Sequence, residues 1–288
     1  MIAGTLRAQA ADPRHARVEP RLAQALLDPV AADTEMRQQR PRRGARSGEL
    51  RVIAEPLAGQ GADSLPLAAL RALGARVETS RSLARISAPP QVLRRIAELP
   101  GIRALHFPAK PVPVDGAGTV LSQAVALTGA SALQAAGIDG TGTQVAVIDV
   151  GFESLGAAQS SGNIPAGATT VDLVGAGMET VTPHGTAVAE EVADMAPGAA
   201  LTLILFADEV DFQNAADYLT AHGIRIVNLS VNWFGSSYYD DTGPINAIVD
   251  DSHDNGGVFW AVGGGNWQFR HWRGGWLDES GDGWLSFT

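Results

Sequence analysis

The chain of 288 residues carries 31 Asp+Glu against 21 Lys+Arg, a net charge of −10, with 45% hydrophobic and 18% charged residues. That length and balance suit one large or two smaller packed domains and exclude a disordered or fibrous chain. The absence of Cys excludes a disulfide framework, a zinc–thiolate centre and a cysteine nucleophile, and no apolar run approaches the roughly 18 residues that a membrane span needs.

The opening stretch MIAGTLRAQAADPR lacks the apolar core of a signal peptide. Ala8-Gln9-Ala10 does look like the small-residue end of one, but the stretch reads as a polar N-terminus. Residues 1–47 show only a short helical patch, RLAQALL, and read as a mobile arm. From residue 49 the pattern sharpens: ELRVIAEP alternates Leu50, Val52 and Ala54 as a strand does. SLPLAALRALGA predicts a helix, with Ser64 as its cap, Pro66 in its first turn and Gly74 at its end. ARVETS and SLARISA predict two strands. PPQVLRRIAELPG predicts a helix with Val92, Ile96 and Leu99 on one face, and IRALHF a closing strand. Strand–helix–strand–strand–helix–strand over 48–107 is the order of a small ferredoxin-like α+β unit.

PAKPVPVDGAG, within 108–118, reads as a linker, since proline opposes sheet pairing and glycine frees the chain. Beyond it, strands and helices alternate. TQVAVID is a continuous apolar strand, HGTAVAEEVADM a helix with Val188, Val192 and Met195 at helical spacing, and ALTLILF a strand. DFQNAADYLTAHG predicts a helix capped by Asp211 and closed by Gly223; IRIVNLSV, PINAIVDDSHDNGG and VFWAV follow as strand, helix and strand. This is the pattern of an α/β fold with a doubly wound parallel sheet, whose sites lie at the carboxyl ends of the strands.

Charge divides the chain along the same line. Residues 1–115 hold 18 Lys+Arg and 11 Asp+Glu, a balance of +7, whereas residues 116–288 hold 3 and 20, a balance of −17. Two units of opposite sign attract each other. Nucleic acid is not the expected partner: RQQRPRRGAR is the only dense Arg cluster, and aromatics for base stacking are nearly absent before Phe107. A dinucleotide site fails as well. The glycines of GTGTQVAVID precede their strand, and no Gly-x-x-Gly helix follows AVGGGN.

Asp149 ends the first strand of the second unit, and His184 opens a helix after a loop. Taken singly, Asp149 reads as a capping carboxylate and His184 as a helix-start residue bonded to backbone. Asn228 and Ser230 end a further strand, and Asn266 follows VFWAVGGG. A carboxylate that orients and charges an imidazole, with an amide donor beside it, is the non-nucleophilic part of an acyl-transfer site. His106, His222, His253 and His271 lack such a context and read as surface or packing residues.

The stretches VAVIDVG, HGTAVA with APGA behind it, IVNLSV and AVGGGN, in that order, resemble the subtilases, the subtilisin-like serine peptidases. The resemblance is strongest over 140–267. It implies an incomplete subtilisin-like domain over 119–288, preceded by a pro-segment over 48–107 that docks on it. Asp149 and His184 would be catalytic and Asn266 the oxyanion donor. Ser230, Val231 and Asn232 would form the strand that pairs with a protein or peptide substrate. It also implies a secreted or cell-envelope bacterial parent and a reaction that needs no cofactor. Several residues depart from the pattern: Val150 stands after the Asp, Asn232 and Trp233 replace a glycine-rich strand end, and Gly264 replaces Ala. No Gly-Thr-Ser nucleophile motif follows, and Ser280 and Ser286 lie too near Asn266 and lack the helix behind it. The expectation is therefore a serine endopeptidase domain truncated before its nucleophile, with residues 268–288 beginning an insertion. A peptide-binding pseudoprotease, or a folding helper or inhibitor of the pro-segment type, is the alternative. The tail DESGDGW places Asp278, Ser280 and Asp282 at alternate positions before Gly283, the opening of a calcium loop. An acidic turn accounts for the same residues and is preferred. Trp267, Trp272, Trp276 and Trp284 read as packing for the inserted segment.

Overall fold

The computed structural model describes residues 16–39, 45–113, 122–234, 240–265 and 277–279. The chain forms two compact units, the first taking in the described residues 16–39, 45–108 and 277–279, the second 109–113, 122–234 and 240–265, so that 277–279 fall outside the domain expected over 119–288.

In the first unit β1 (Arg17–Val18), β2 (Leu50–Pro56), β3 (Arg76–Thr79), β4 (Ala84–Ala88) and β5 (Ile102–His106) form one sheet in the order β1-β5-β2-β4-β3. β1 and β5 run parallel, and the remaining neighbours are antiparallel. The four strands β5-β2-β4-β3, with helices Leu67–Ala72 and Pro90–Ala97 in the crossovers, have the split βαβ arrangement. Leu50, Val52 and Ala54 of β2 and Ile86 of β4 bury one sheet face against Leu93 and Ile96.

Residues 16–39 are not a free arm. Helices α1 (Pro20–Leu27) and α2 (Pro29–Gln38) contribute Leu22, Ala25, Leu26 and Ala32 to the same core. Each begins with proline in its first turn, and the Asp28 carboxylate between them accepts the Val30 N–H at 2.8 Å. Two such short helices carry too little apolar spacing to register as a sustained period. The crossover helices Leu67–Ala72 and Pro90–Ala97 are α3 and α4. Ser64 does not cap α3; it ends a short 3₁₀ turn, and its hydroxyl donates to the Gly61 carbonyl at 2.7 Å. α4 buries Leu93 and Ile96, with Val92 and Leu99 packed at the margin.

The second unit contains a parallel sheet of β7 (Gln144–Asp149), β8 (Thr169–Asp172), β9 (Ala200–Leu205), β10 (Ile226–Leu229) and β12 (Phe259–Val262), in the order β12-β10-β7-β9-β8. Outside it, β6 (Val112–Pro113) pairs antiparallel with β11 (Val231–Asn232). The segment read as linker therefore enters a ladder in spite of its proline, as a two-residue edge strand can. Helices α5 (Gln123–Leu127) and α6 (Ala130–Ala135) precede β7, and α7 (Leu155–Ser161) follows it. α8 (His184–Met195), α9 (Glu209–His222) and α10 (Pro244–Asp254) fall where the periodicity predicts them.

The strand Thr169–Asp172 and the helices α5 to α7 escape sequence reading because they are four to seven residues long and rich in Ala, Gly, Ser and Thr. α9 is capped by Asp208, not Asp211: its carboxylate accepts from Val210 and Asp211 N–H at 3.1 and 3.2 Å. Helices α7 and α8 pack Leu155, Ala158 and Ala189 against Val147 and Leu203 on one sheet face. On the other, α9 and α10 pack Phe212, Leu219 and Ile248 against Ala146, Ile148 and Val227. β7 lies at the centre, between strands reached through the two helix layers, so its carboxyl end is a topological switch point. Among the described residues no helix is long and apolar enough to cross a membrane.

Candidate active site

Along β7 the side chains alternate between the two cores, and this sends Asp149 to the α7–α8 face together with Val147. Asp149 is fully buried; its Oδ1 accepts the Val150 N–H at 2.7 Å, and its Oδ2 accepts from His184 Nδ1 at 2.7 Å. Burial of a carboxylate is tolerated because these bonds replace water, and charge-assisted bonds of this length are the stronger kind. His184 is 7% exposed and opens α8, where its own N–H donates to Thr182 Oγ1 at 3.3 Å.

The contact depends on a close approach of α8 to the turn after β7. Gly185 N–H donates to the Gly151 carbonyl at 2.9 Å. A Cβ on Gly185 would lie 2.6 Å from that oxygen and 2.7 Å from both Asp149 Cβ and Phe152 Cε1. The strap before the helix is tied to the same turn. Phe152 N–H donates to the Met178 carbonyl at 3.1 Å, Glu153 N–H to that of Thr182 at 3.0 Å, and Thr186 Oγ1 to that of Glu153 at 2.9 Å. Val181 sits in this strap at φ +70°, an uncommon conformation for a β-branched residue.

The chemistry follows from the pairing. A proton on Nδ1 held toward a carboxylate fixes the imidazole's tautomer and plane and leaves Nε2 as the basic nitrogen. A proton taken up at Nε2 creates an imidazolium beside a buried negative charge, which stabilises it in low-dielectric surroundings.

A polar row runs from the end of β10 into β11, and its first member, Asn228, shares this face. Asn228, Ser230 and Asn232 alternate with Val227, Leu229 and Val231, which are buried in the α9–α10 core. Asn228 stands in register with Val147, two residues before Asp149. Ser230 Oγ donates to Asn228 Oδ1 at 3.0 Å. Val231 and Asn232, expected to pair with an extended substrate, pair here with the chain's own residues: Val231 with Pro113, Asn232 with Val112. Asn266 lies outside the described residues, as do Ser280 and Asp282 of the expected calcium loop; Asp278 lies within them. Among the described residues no group of three or more His, Cys, Asp or Glu is placed to hold a metal ion.

Of the other histidines, His222 and His253 bond backbone carbonyls of Tyr218 and Val258 at 2.9 Å each, and His106 bonds that of Phe107 at 2.8 Å. Sequence reading missed Thr182 and the closeness that Gly185 permits. The only signal was their position, flanking a histidine at a helix start.

No family model and no curated protein matches the chain. Among solved structures it is similar to the epidermin leader peptide processing serine protease of Staphylococcus aureus. In one form, a Ser-to-Ala mutant, the identity is 12% and the TM-score 0.48, over 74% of this chain and 60% of that one. A second structure of that protease gives 12% identity and a TM-score of 0.46, over 75% and 60%. The chain thus spans about three fifths of the length of the structures it matches. These findings correct the subtilase assignment: no family model or curated relative supports it, and the neighbours are described only as a serine protease, at a likeness too low to argue from. The designation of residues 48–107 as a pro-segment falls with it. What stands is a mixed α/β chain with one all-parallel sheet.

Proposed function

We propose that the second unit carries the acid–base half of a serine-type peptidase, hydrolysing peptide bonds through an acyl-enzyme intermediate. The observation that carries this reading is the 2.7 Å bond from His184 Nδ1 to the buried Asp149 carboxylate at a switch point of the sheet. In this reading His184 Nε2 takes the proton of a serine hydroxyl as it attacks the scissile carbonyl. Asp149 stabilises the imidazolium, and the same proton then passes to the leaving amine. Asn266 is proposed as the oxyanion donor, and Ser230, Val231 and Asn232 as the strand that holds the substrate; the nucleophile is assigned to no residue of this chain. The reaction draws on no cofactor.

The test is hydrolysis of a fluorogenic peptide library by a protein in which this unit stands together with a nucleophilic serine. Asp149→Asn is expected to lower kcat by about 10⁴-fold and His184→Ala by about 10⁶-fold. A His184→Ala protein that keeps wild-type turnover sinks the reading.

One observation favours a second reading, a protein that binds peptide without cleaving it: β11 already holds an extended segment, Val112–Pro113, in antiparallel register. That reading expects no turnover at all, and a peptide affinity that survives Asp149→Ala.

A further inference from the structure

We infer that Asn232 sets the specificity of β11, recognising an amide side chain, Asn or Gln, in the extended peptide that pairs there. The inference rests on the reading of β11 as the peptide-bearing strand.

Asn232 is the last member of the polar row Asn228, Ser230 and Asn232, which alternates with Val227, Leu229 and Val231 of the α9–α10 core. Within that row the Ser230 hydroxyl is already engaged by Asn228 Oδ1, at 3.0 Å. The Nδ2 of Asn232 is buried and has no hydrogen-bond partner among the described residues, although buried side-chain donors in folded proteins nearly always find one. Its partner in register is Val112. The strand end is held firm, because the next residue, Trp233, packs T-shaped on Phe212 at 4.9 Å and tilted on Phe206 at 5.5 Å between ring centroids. A donor on so rigid a support is preorganised for a ligand.

Complementarity then selects the ligand group. A second carboxamide returns both bonds at once, N–H to oxygen in each direction, whichever way the Asn232 amide is turned. A carboxylate offers acceptors alone, and it enters a half of the chain with 20 Asp+Glu against 3 Lys+Arg. A thioether or aliphatic chain leaves the buried donor unmet.

The test titrates the full chain, carrying His184→Ala to keep peptides intact, with N-acetylated hexa-alanine amides. One position in turn carries Gln, Met or Glu, and binding is followed by calorimetry. At one position the Gln peptide is expected to bind roughly tenfold more tightly than the Met and Glu peptides. Asn232→Leu is expected to bring the three within about twofold of one another. Equal binding of the three at every position, or a Gln preference that persists in Asn232→Leu, overturns the inference while leaving the peptide-bearing strand intact. If no peptide binds, the reading of β11 and this inference fall together.

Discussion

Replacing Gly185 with Ala puts one methyl group where the structure has no room for it. The new Cβ would stand 2.6 Å from the Gly151 carbonyl oxygen and 2.7 Å from Asp149 Cβ and Phe152 Cε1. Ordinary carbon contacts lie at about 3.5–4.0 Å, so the overlap is on the order of 1 Å against three atoms. Two of the three belong to β7 and the turn after it and cannot swing aside, so the first turn of α8 must lift. Overpacking of this kind costs roughly 1–3 kcal/mol. Loss of the 2.9 Å bond from Gly185 N–H to Gly151 adds about 0.5–1.5 kcal/mol. The sum, about 2–4 kcal/mol, corresponds to a fall in Tm of roughly 5–15 °C for a domain of this size. Differential scanning calorimetry measures that fall. Proton NMR of the His184 Nδ1–H supplies a second readout, because a lifted helix lengthens its bond to Asp149 and moves that resonance upfield. A melting temperature within about 2 °C of wild type, with the resonance unmoved, would refute the argument that glycine is what lets helix and strand meet.

Two other outcomes follow from the same structure. Burial alone would raise the Glu55 carboxyl's pKa, but the His106 imidazole, with its bond and charge, and the Arg103 guanidinium together hold it below the usual carboxylate range. A depressed folded-state pKa gives stability that is present above the unfolded value, about 4.3, and lost as pH falls through the folded one. Urea midpoints taken from pH 6 down to pH 3 should therefore drop more steeply for wild type than for Glu55→Gln; parallel curves would contradict the pairing. Phe212 is fully buried, with ring centroids of Phe206, Trp233 and Trp260 at 5.7, 4.9 and 5.6 Å. Phe212→Ala should cost about 3–5 kcal/mol in urea unfolding, and a loss below about 1 kcal/mol would show that the cluster is not packed as described.

Local pattern made most of this chain legible. Alternation in β2, the apolar run of β7 and the spacing within α8 each reflect a side-chain period that the backbone imposes, so they can be read without neighbours. What escaped was short or depended on distant partners. Leu22 and Leu26 gave a period of barely two turns, and only their burial against Ile96 and Val52 shows that residues 16–39 belong to the core. Pro113 argued against pairing, yet the edge of β11 accepts it. The motifs that suggested a named family were four short strings, around Asp149 and His184, at IVNLSV and at AVGGGN, and no family model or curated relative supports that assignment.

The sequence by itself determined two packed units, the parallel order of the second, and a carboxylate and an imidazole at the ends of their elements. Only the tertiary structure decided that these two groups, 35 residues apart, close to 2.7 Å. It alone revealed that β11 holds the chain's own Val112–Pro113 and that the Asn232 amide nitrogen is buried without a partner among the described residues. The physical reason is that periodicity fixes which face a side chain takes, whereas contact between faces depends on how closely two backbones approach. Here that distance is set by the missing side chain of Gly185.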